Sequence, residues 1–236
     1  NLDRDGFATV YERSGGSWTE RGTVDGLKDL HMLGASVAAS DDGSVIAVSS
    51  YPVQGDVGPT YEEVLVFSWN GASYQRTHTV GVHNKITLDE TGYPEDRIAL
   101  SANGNILATA QHYDDHPTGS PTLVGKIDVY QLNAGGTHTQ LGATFFGTNE
   151  YEMLGYSIGF NDDGTVLAFG GMVDGDGSGR CNQGGYTEVY DYDGTSWNLR
   201  GGRILSPSYP SDTTHIGLGV ALSGSGDTVC TGGVGF

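Results

Sequence analysis

Two stretches of this sequence have the residue types and spacing of a calcium loop. Asn1-x-Asp3-x-Asp5-Gly6 and Asp174-x-Asp176-x-Ser178-Gly179 alternate oxygen-bearing side chains with spacers and close on a glycine. That is how a short loop surrounds a hard cation with oxygens. The competing reading of both is an acidic, glycine-rich loop hydrated by water. His112-Tyr113-Asp114-Asp115-His116 gathers two imidazoles and two carboxylates within five residues. Zinc takes such ligands, but a loop without a partner cluster gives them no fixed geometry, and a solvated loop is the alternative. Cys181 and Cys230 fit neither a zinc site nor a CxxC redox motif. In an oxidising compartment they are a candidate disulfide; otherwise they are two thiols.

Signals for catalysis are weaker. There is no G-x-S-x-G elbow and no H-E-x-x-H pair. A sialidase-like site needs arginines converging on a substrate carboxylate, whereas Arg13, Arg21, Arg76, Arg200 and Arg203 fall on stretches that read as outer strands. Paired carboxylates can hydrolyse glycosides, yet a chain with 29 acidic residues contains such pairs inevitably. The expectation is a chain without catalytic activity. With 11 basic residues the formal net charge is -18, which repels nucleic acid and anionic membranes and attracts cations and basic partners. No run approaches the ~20 apolar residues of a membrane-spanning helix.

The elements that must position these residues follow from internal repetition. LGASVAASDDGSVIAVSS from Leu33, DRIALSANGNILATAQ from Asp96, LGYSIGFNDDGTVLAFGG from Leu154 and IGLGVALSGSGDTVCTGG from Ile216 each join two alternating apolar runs through a polar turn. The turn glycines Gly43, Gly104, Gly164 and Gly226 are 61, 60 and 62 residues apart. A second pair of runs follows each of the first three, around Asn70-Gly71, Gly135-Gly136 and Asp193-Gly194. Such dipeptides supply the positive φ of tight hairpins, and Val, Tyr, Phe, Trp and Thr populate the flanking runs, as strands prefer. No stretch keeps a 3.6-residue apolar period.

Four antiparallel strands per repeat make one blade of a β-propeller. The fold expected is all-β, with about four four-stranded blades on a repeat of ~61 residues. The blades fall at 33–80, 95–147, 154–206, and 216–236 joined with 1–24. In the last, the N-terminal hairpin completes the C-terminal blade and closes the ring, removing two open sheet edges. The competing reading is a window cut from a longer propeller or tandem array.

Leu33-Gly34-Ala35-Ser36-Val37-Ala38 and Leu154-Gly155-Tyr156-Ser157-Ile158 resemble the FG-GAP type repeats of integrin-like propellers. With the S-W-x-x-x-G hairpin at Ser17 to Gly22, the unit resembles propeller repeats of secreted proteins of algae and marine microbes. The sequence departs from the integrin type at Asp41-Asp42-Gly43 and Asp162-Asp163-Gly164. These turns are too short for the long calcium loop that the resemblance would imply.

Trp18, Trp69 and Trp197 recur beside outer turns, a placement that favours packing over sugar stacking. The long loops 51–61, 112–124 and 173–185 share one position in the repeat and should gather on one face, the candidate surface for partners. The functional expectation is an extracellular or cell-surface structural or adhesive module, acting on protein partners or by self-assembly. The alternative is a soluble propeller that binds carbohydrate or protein, with a glycan-active hydrolase third.

Overall fold

The computed structural model describes residues 6–26, 31–52, 62–82, 97–172, 184–206 and 215–234. Every regular element among them is a β-strand. β1 (Phe7–Ser14) and β2 (Ser17–Asp25) form a hairpin. The first complete blade is β3 (His31–Ala39), β4 (Val45–Pro52), β5 (Glu62–Trp69) and β6 (Tyr74–Val82), hydrogen-bonded in that order. The second is β7 (Arg97–Leu100), β8 (Ile106–Gln111), β9 (Lys126–Leu132) and β10 (His138–Gln140), with β11 (Phe145–Phe146) also on β9. The third is β12 (Ser157–Phe160), β13 (Val166–Gly171), β14 (Tyr186–Tyr192) and β15 (Trp197–Leu199), with β16 (Ile204–Leu205) also on β14. β17 (Gly219–Leu222) and β18 (Val229–Gly232) form a closing hairpin.

The fourth strand of the second and third blades is thus broken in two. The breaks fall at Gly142 and Gly201, whose φ values of 72° and 77° suit glycine and interrupt extended pairing. β17–β18 matches the first two strands of the repeat and β1–β2 the last two. They stand as separate two-stranded sheets, and the ladder between β18 and β1 that would close a ring is not formed among the described residues.

Alternation along the strands assigns each side chain to one of two neighbouring blades. Ile127 and Val129 face Leu167, Phe169 and Tyr186 of the third blade. Tyr130 turns the other way, onto Val64, Val66 and Ile98 beside the first. Alanine fills the tightest position: Ala47, Ala108 and Ala168 occupy the same place in the repeat and are each fully buried. Cys230 holds that place on β18 and is exposed.

The turns between first and second strands stitch the blades together. Within each turn a side chain acts for the backbone: Asp42 Oδ1 accepts from the Ser44 amide at 2.8 Å, and Asn103 Oδ1 from the Asn105 amide at 2.9 Å. Between turns, the Asp41 amide donates to Ala102 O, that of Ala102 to Asp162 O, and that of Asp162 to Gly224 O, at 2.9, 2.9 and 3.0 Å. The serines of the two Leu-Gly-x-Ser segments make a second set of links. Ser36 Oγ accepts the Ile98 amide at 3.3 Å and Ser157 Oγ the Val220 amide at 2.9 Å.

Candidate functional site

The loop between second and third strands in the second blade, 112–124, is described throughout and packs on the segment 147–154 that leads to the third blade. Val124 O accepts the Leu154 amide at 2.9 Å, Leu123 O that of Met153 at 3.1 Å and Thr122 O that of Tyr151 at 3.2 Å. Leu123, Tyr151 and Met153 have φ of 53°, 62° and 49°, a left-handed conformation unusual for side chains of this size. Three such residues persist together only where their surroundings over-determine them, and they concentrate at functional surfaces.

Glu152 pins this segment. Its carboxylate is 2% exposed and accepts the amides of Thr148 and Asn149 at 2.6 and 2.8 Å on one oxygen. Its other oxygen accepts the Tyr186 hydroxyl. The Arg203 guanidinium lies 3.7 Å from the centre of the Tyr186 ring and donates through Nε to Glu188 at 2.9 Å. The second Glu188 oxygen accepts the Tyr190 hydroxyl at 3.0 Å. Burial first, and then the charge of Glu152, push the Tyr186 hydroxyl well above the usual phenol range. Tyr190 is raised by burial and by Glu188. Both tyrosines therefore stay protonated and act as donors.

The second blade carries its own polar layer at equivalent positions. Lys126 corresponds to Tyr186 and Asp128 to Glu188, each pair 60 residues apart. Lys126 Nζ lies 3.2 Å from Asp114 and 3.9 Å from Asp128, and Asp128 also accepts from Gln140 and Thr144. The two networks reach this loop and segment through Asp114 and Glu152. Their acids are engaged by neighbours and largely shielded from solvent, so they order the surface. Asp115, Thr118 and Glu150 are among the exposed polar groups of this loop and segment.

The histidine-rich segment does not converge on a metal. His112 is 1% exposed and packs against Tyr113 at a tilt and Tyr156 edge-on, with ring centres 4.3 and 5.0 Å away. Asp114 turns to Lys126, Asp115 caps the Leu123 amide at 2.9 Å, and His116 contacts Thr118 and the Phe146 ring. Among the described residues no group of His, Cys, Asp and Glu is placed to hold a metal ion. The calcium candidates Asn1, Asp3, Asp5, Asp174, Asp176 and Ser178 lie outside the described residues, as does Cys181. Arg203 departs from the outer-strand position expected of it because the break before β16 turns it inward over Tyr186. Trp197 packs, its Nε1 donating to Leu141 O at 2.9 Å. Trp69 packs beside Tyr74, whereas Trp18 is 70% exposed. Glu152 carries no signature in the sequence; a hint lies in the recurrence of Lys126 and Asp128 as Tyr186 and Glu188, 60 residues on, within the third strands.

No protein-family model matches the chain, and no curated protein matches its sequence. Among solved structures it is similar to the periplasmic gluconolactonase of Pseudomonas aeruginosa, with 18% identity and a TM-score of 0.56 over 99% of this chain and 59% of that one. It is also similar to a chain of the nidogen/laminin complex, with 13% identity and a TM-score of 0.50 over 99% of this chain and 69% of that one. The chain thus spans 59% of the length of the gluconolactonase it matches. These likenesses show the fold, a β-propeller. They also correct the expectation of a chain without catalytic activity. A gluconolactonase is built on this fold, so the fold and the missing hydrolase motifs do not exclude an enzyme.

Proposed function

We propose that this chain is an extracellular propeller of FG-GAP type that binds a partner, a protein or a glycan, through the face formed by its long loops. The observation that carries the reading is the pinning of 147–154 against 112–124 by Glu152, with three non-glycine residues held at positive φ. A surface held in one conformation loses little entropy on binding. Acidic groups suit a cationic partner, and calcium held by Asn1, Asp3 and Asp5, or by Asp174, Asp176 and Ser178, would further order the same class of loop. The test is binding of the purified chain to a glycan array and to extracellular extract proteins. The triple substitution Asp115→Ala, Thr118→Ala, Glu150→Ala should lower binding at least tenfold, with circular dichroism showing the blades intact even where loss of the Asp115 cap on the Leu123 amide lowers the melting temperature. Binding that survives the substitution removes the loop face from the reading.

A second reading, hydrolysis of a sugar lactone, draws on the likeness to the gluconolactonase alone. It is tested by proton release from gluconolactone with and without an added divalent cation. Turnover above the buffer rate supports it, and its absence in both conditions disposes of it.

A further inference from the structure

Successive outer hairpins meet at junctions of one plan, and the junction between the first and second blades lacks a part. Ala47 pairs with Val66, Ala108 with Val129 and Ala168 with Val189, which aligns the third strands. Three residues on, Trp69, Leu132 and Tyr192 correspond, and so do their partners on the fourth strands, Tyr74, His138 and Trp197. Tyr74 is buried, and its ring wedges between its own blade and the β1–β2 hairpin. It packs on Trp69, a Cβ at Gly22 would lie 3.3 Å from it, and its hydroxyl donates to Gly43 O at 2.6 Å. Trp197 is the same wedge between the third blade and the second. It packs on Tyr192, a Cβ at Gly142 would lie 2.8 Å from it, and its Nε1 donates to Leu141 O at 2.9 Å.

His138 makes no such wedge. It is exposed and rests edge-on against Tyr130, with ring centres 5.2 Å apart. Between the first and second blades there is instead a groove of about 500 Å³. Its apolar wall is Val45, Val66 and Leu132, and Thr77, His78 and Gly104 face them. Four of these are counterparts of the residues around Tyr74. Leu132 stands for Trp69 and Gly104 for Gly43. His78 stands for Gly22, since Val66 pairs with His78 as Val10 does with Gly22, and Thr77 stands for Arg21, the extra residue of the bulge in each hairpin. Gly43 O takes the Tyr74 hydroxyl, whereas Gly104 O accepts no hydrogen bond among the described residues.

We propose that this groove binds a small neutral aromatic molecule of the phenol class. Its ring takes the place that Tyr74 and Trp197 fill at the neighbouring junctions, and its hydroxyl donates to Gly104 O. The apolar wall favours a flat hydrocarbon ring, and a phenol adds the polar handle that a buried ring uses on a waiting acceptor. The groove is lined without Asp, Glu, Lys or Arg in a chain of formal net charge -18. A charged ligand would be desolvated there without a partner, so a neutral one is selected. The volume falls in the range of small-molecule sites and leaves room for substituents on the ring. β8 runs from the turn at Gly104 to the loop that begins at His112, so the groove lies at the end of the blade away from that loop. The inference is independent of the loop face.

The probe is p-cresol, titrated calorimetrically into the full chain. A Kd below about 1 mM is expected, modest for a ligand of this size. Toluene has the same shape without the donor and should bind at least tenfold more weakly. His138→Trp gives the second blade the wedge of the third and should lower p-cresol affinity at least tenfold, whereas His138→Ala should leave it within twofold. In the unaltered chain, the methyl resonances of Val45, Val66 and Leu132 should shift on titration while those of Leu167 and Val189 stay in place. That readout decides the matter even if His138→Trp fails to fold. Absence of binding, equal affinity for toluene, or shifts confined to other methyls overturns the inference. Binding of N-acetyltyrosinamide at least tenfold tighter than p-cresol also overturns it, in favour of a tyrosine side chain from a protein partner.

Discussion

The hydroxyl of Ser157 accepts the backbone amide of Val220, 63 residues further on and in the next sheet, at 2.9 Å. The Leu-Gly-x-Ser segment therefore works between blades as well as within one. Removing the oxygen in Ser157→Ala strands a half-buried amide, which costs about 1–2 kcal/mol. Much of that loss should be local to β17–β18, whose other links to the third blade include Asp162 to Gly224 and Thr187 to Thr231. The expected outcome is faster hydrogen exchange at Val220 and along β17–β18, with the second blade unchanged. Uniform acceleration throughout the chain would count against the link.

Glycine is required where blades touch and is replaceable at outer-turn positions with open space around them, such as Gly135. A Cβ at Gly125 would lie 2.3 Å from both the amide nitrogen and the carbonyl oxygen of Leu154, and φ there is +80°. Gly135 has almost the same φ, +81°, with nothing within 4 Å of a Cβ. Gly135→Ala should cost about 1 kcal/mol, the left-handed backbone penalty alone. Gly125→Ala adds a backbone collision and should cost about 3 kcal/mol or more. Chemical denaturation of the two variants checks the difference.

The repeat was legible because its requirements are local. Positive φ at Gly43, Gly104, Gly164 and Gly226, followed by short apolar runs, leaves little but a strand–turn–strand unit. The alanine row at 47, 108 and 168 follows from the same register. What stayed hidden depends on contacts made across the fold. Tyr186 and Glu152 are 34 residues apart, and no spacing rule links them. The breaks after Gln140 and at Arg200 turn Thr144 and Arg203 inward, which an unbroken fourth strand would not allow. Trp18 and Trp197 read identically in sequence, yet one is 70% exposed and the other packed. Trp197 rests against Phe145, Phe160 and the Leu141 carbonyl, contacts that no spacing rule announces.

Stability should fall in acid through the turn carboxylates. Hydrogen bonds from the Ser44 amide, then from the Ser44 and Ser40 hydroxyls, lower the Asp42 carboxyl from 3.8 to about 2. Asp163 and Asp193 are lowered for similar reasons, by Thr165 and by the amides of Ser196 and Thr195. Unfolded chains take up protons near pH 4 while the folded turn resists until about pH 2. The contribution is therefore complete above about pH 4 and lost as pH falls through 2. Asp42→Asn keeps the acceptor oxygen, as Asn103 does in the second blade. It should flatten that part of the stability–pH curve, measured by thermal melts from pH 2 to 6.

Tyr186→Phe removes a hydroxyl that donates to a carboxylate 2% exposed. A charged acceptor left unsatisfied in the interior should cost about 2–3 kcal/mol. Glu152→Gln keeps the shape, and its amide oxygen can still take the Thr148 and Asn149 amides, so the loss should be smaller. Melting curves of both variants test the ranking, and a larger loss in Glu152→Gln would reverse it.

The bonds from Asp41 to Ala102, Ala102 to Asp162 and Asp162 to Gly224 all point the same way around the molecule. Each repeat therefore offers one donor to its successor and one acceptor to its predecessor. Duplicating or deleting a whole repeat in the gene leaves no unmatched backbone group in this turn-to-turn ladder, whereas an insertion of half a repeat does. The side-chain links at the junctions, such as Tyr186 to Glu152, are peculiar to each junction and set the limit on such exchange.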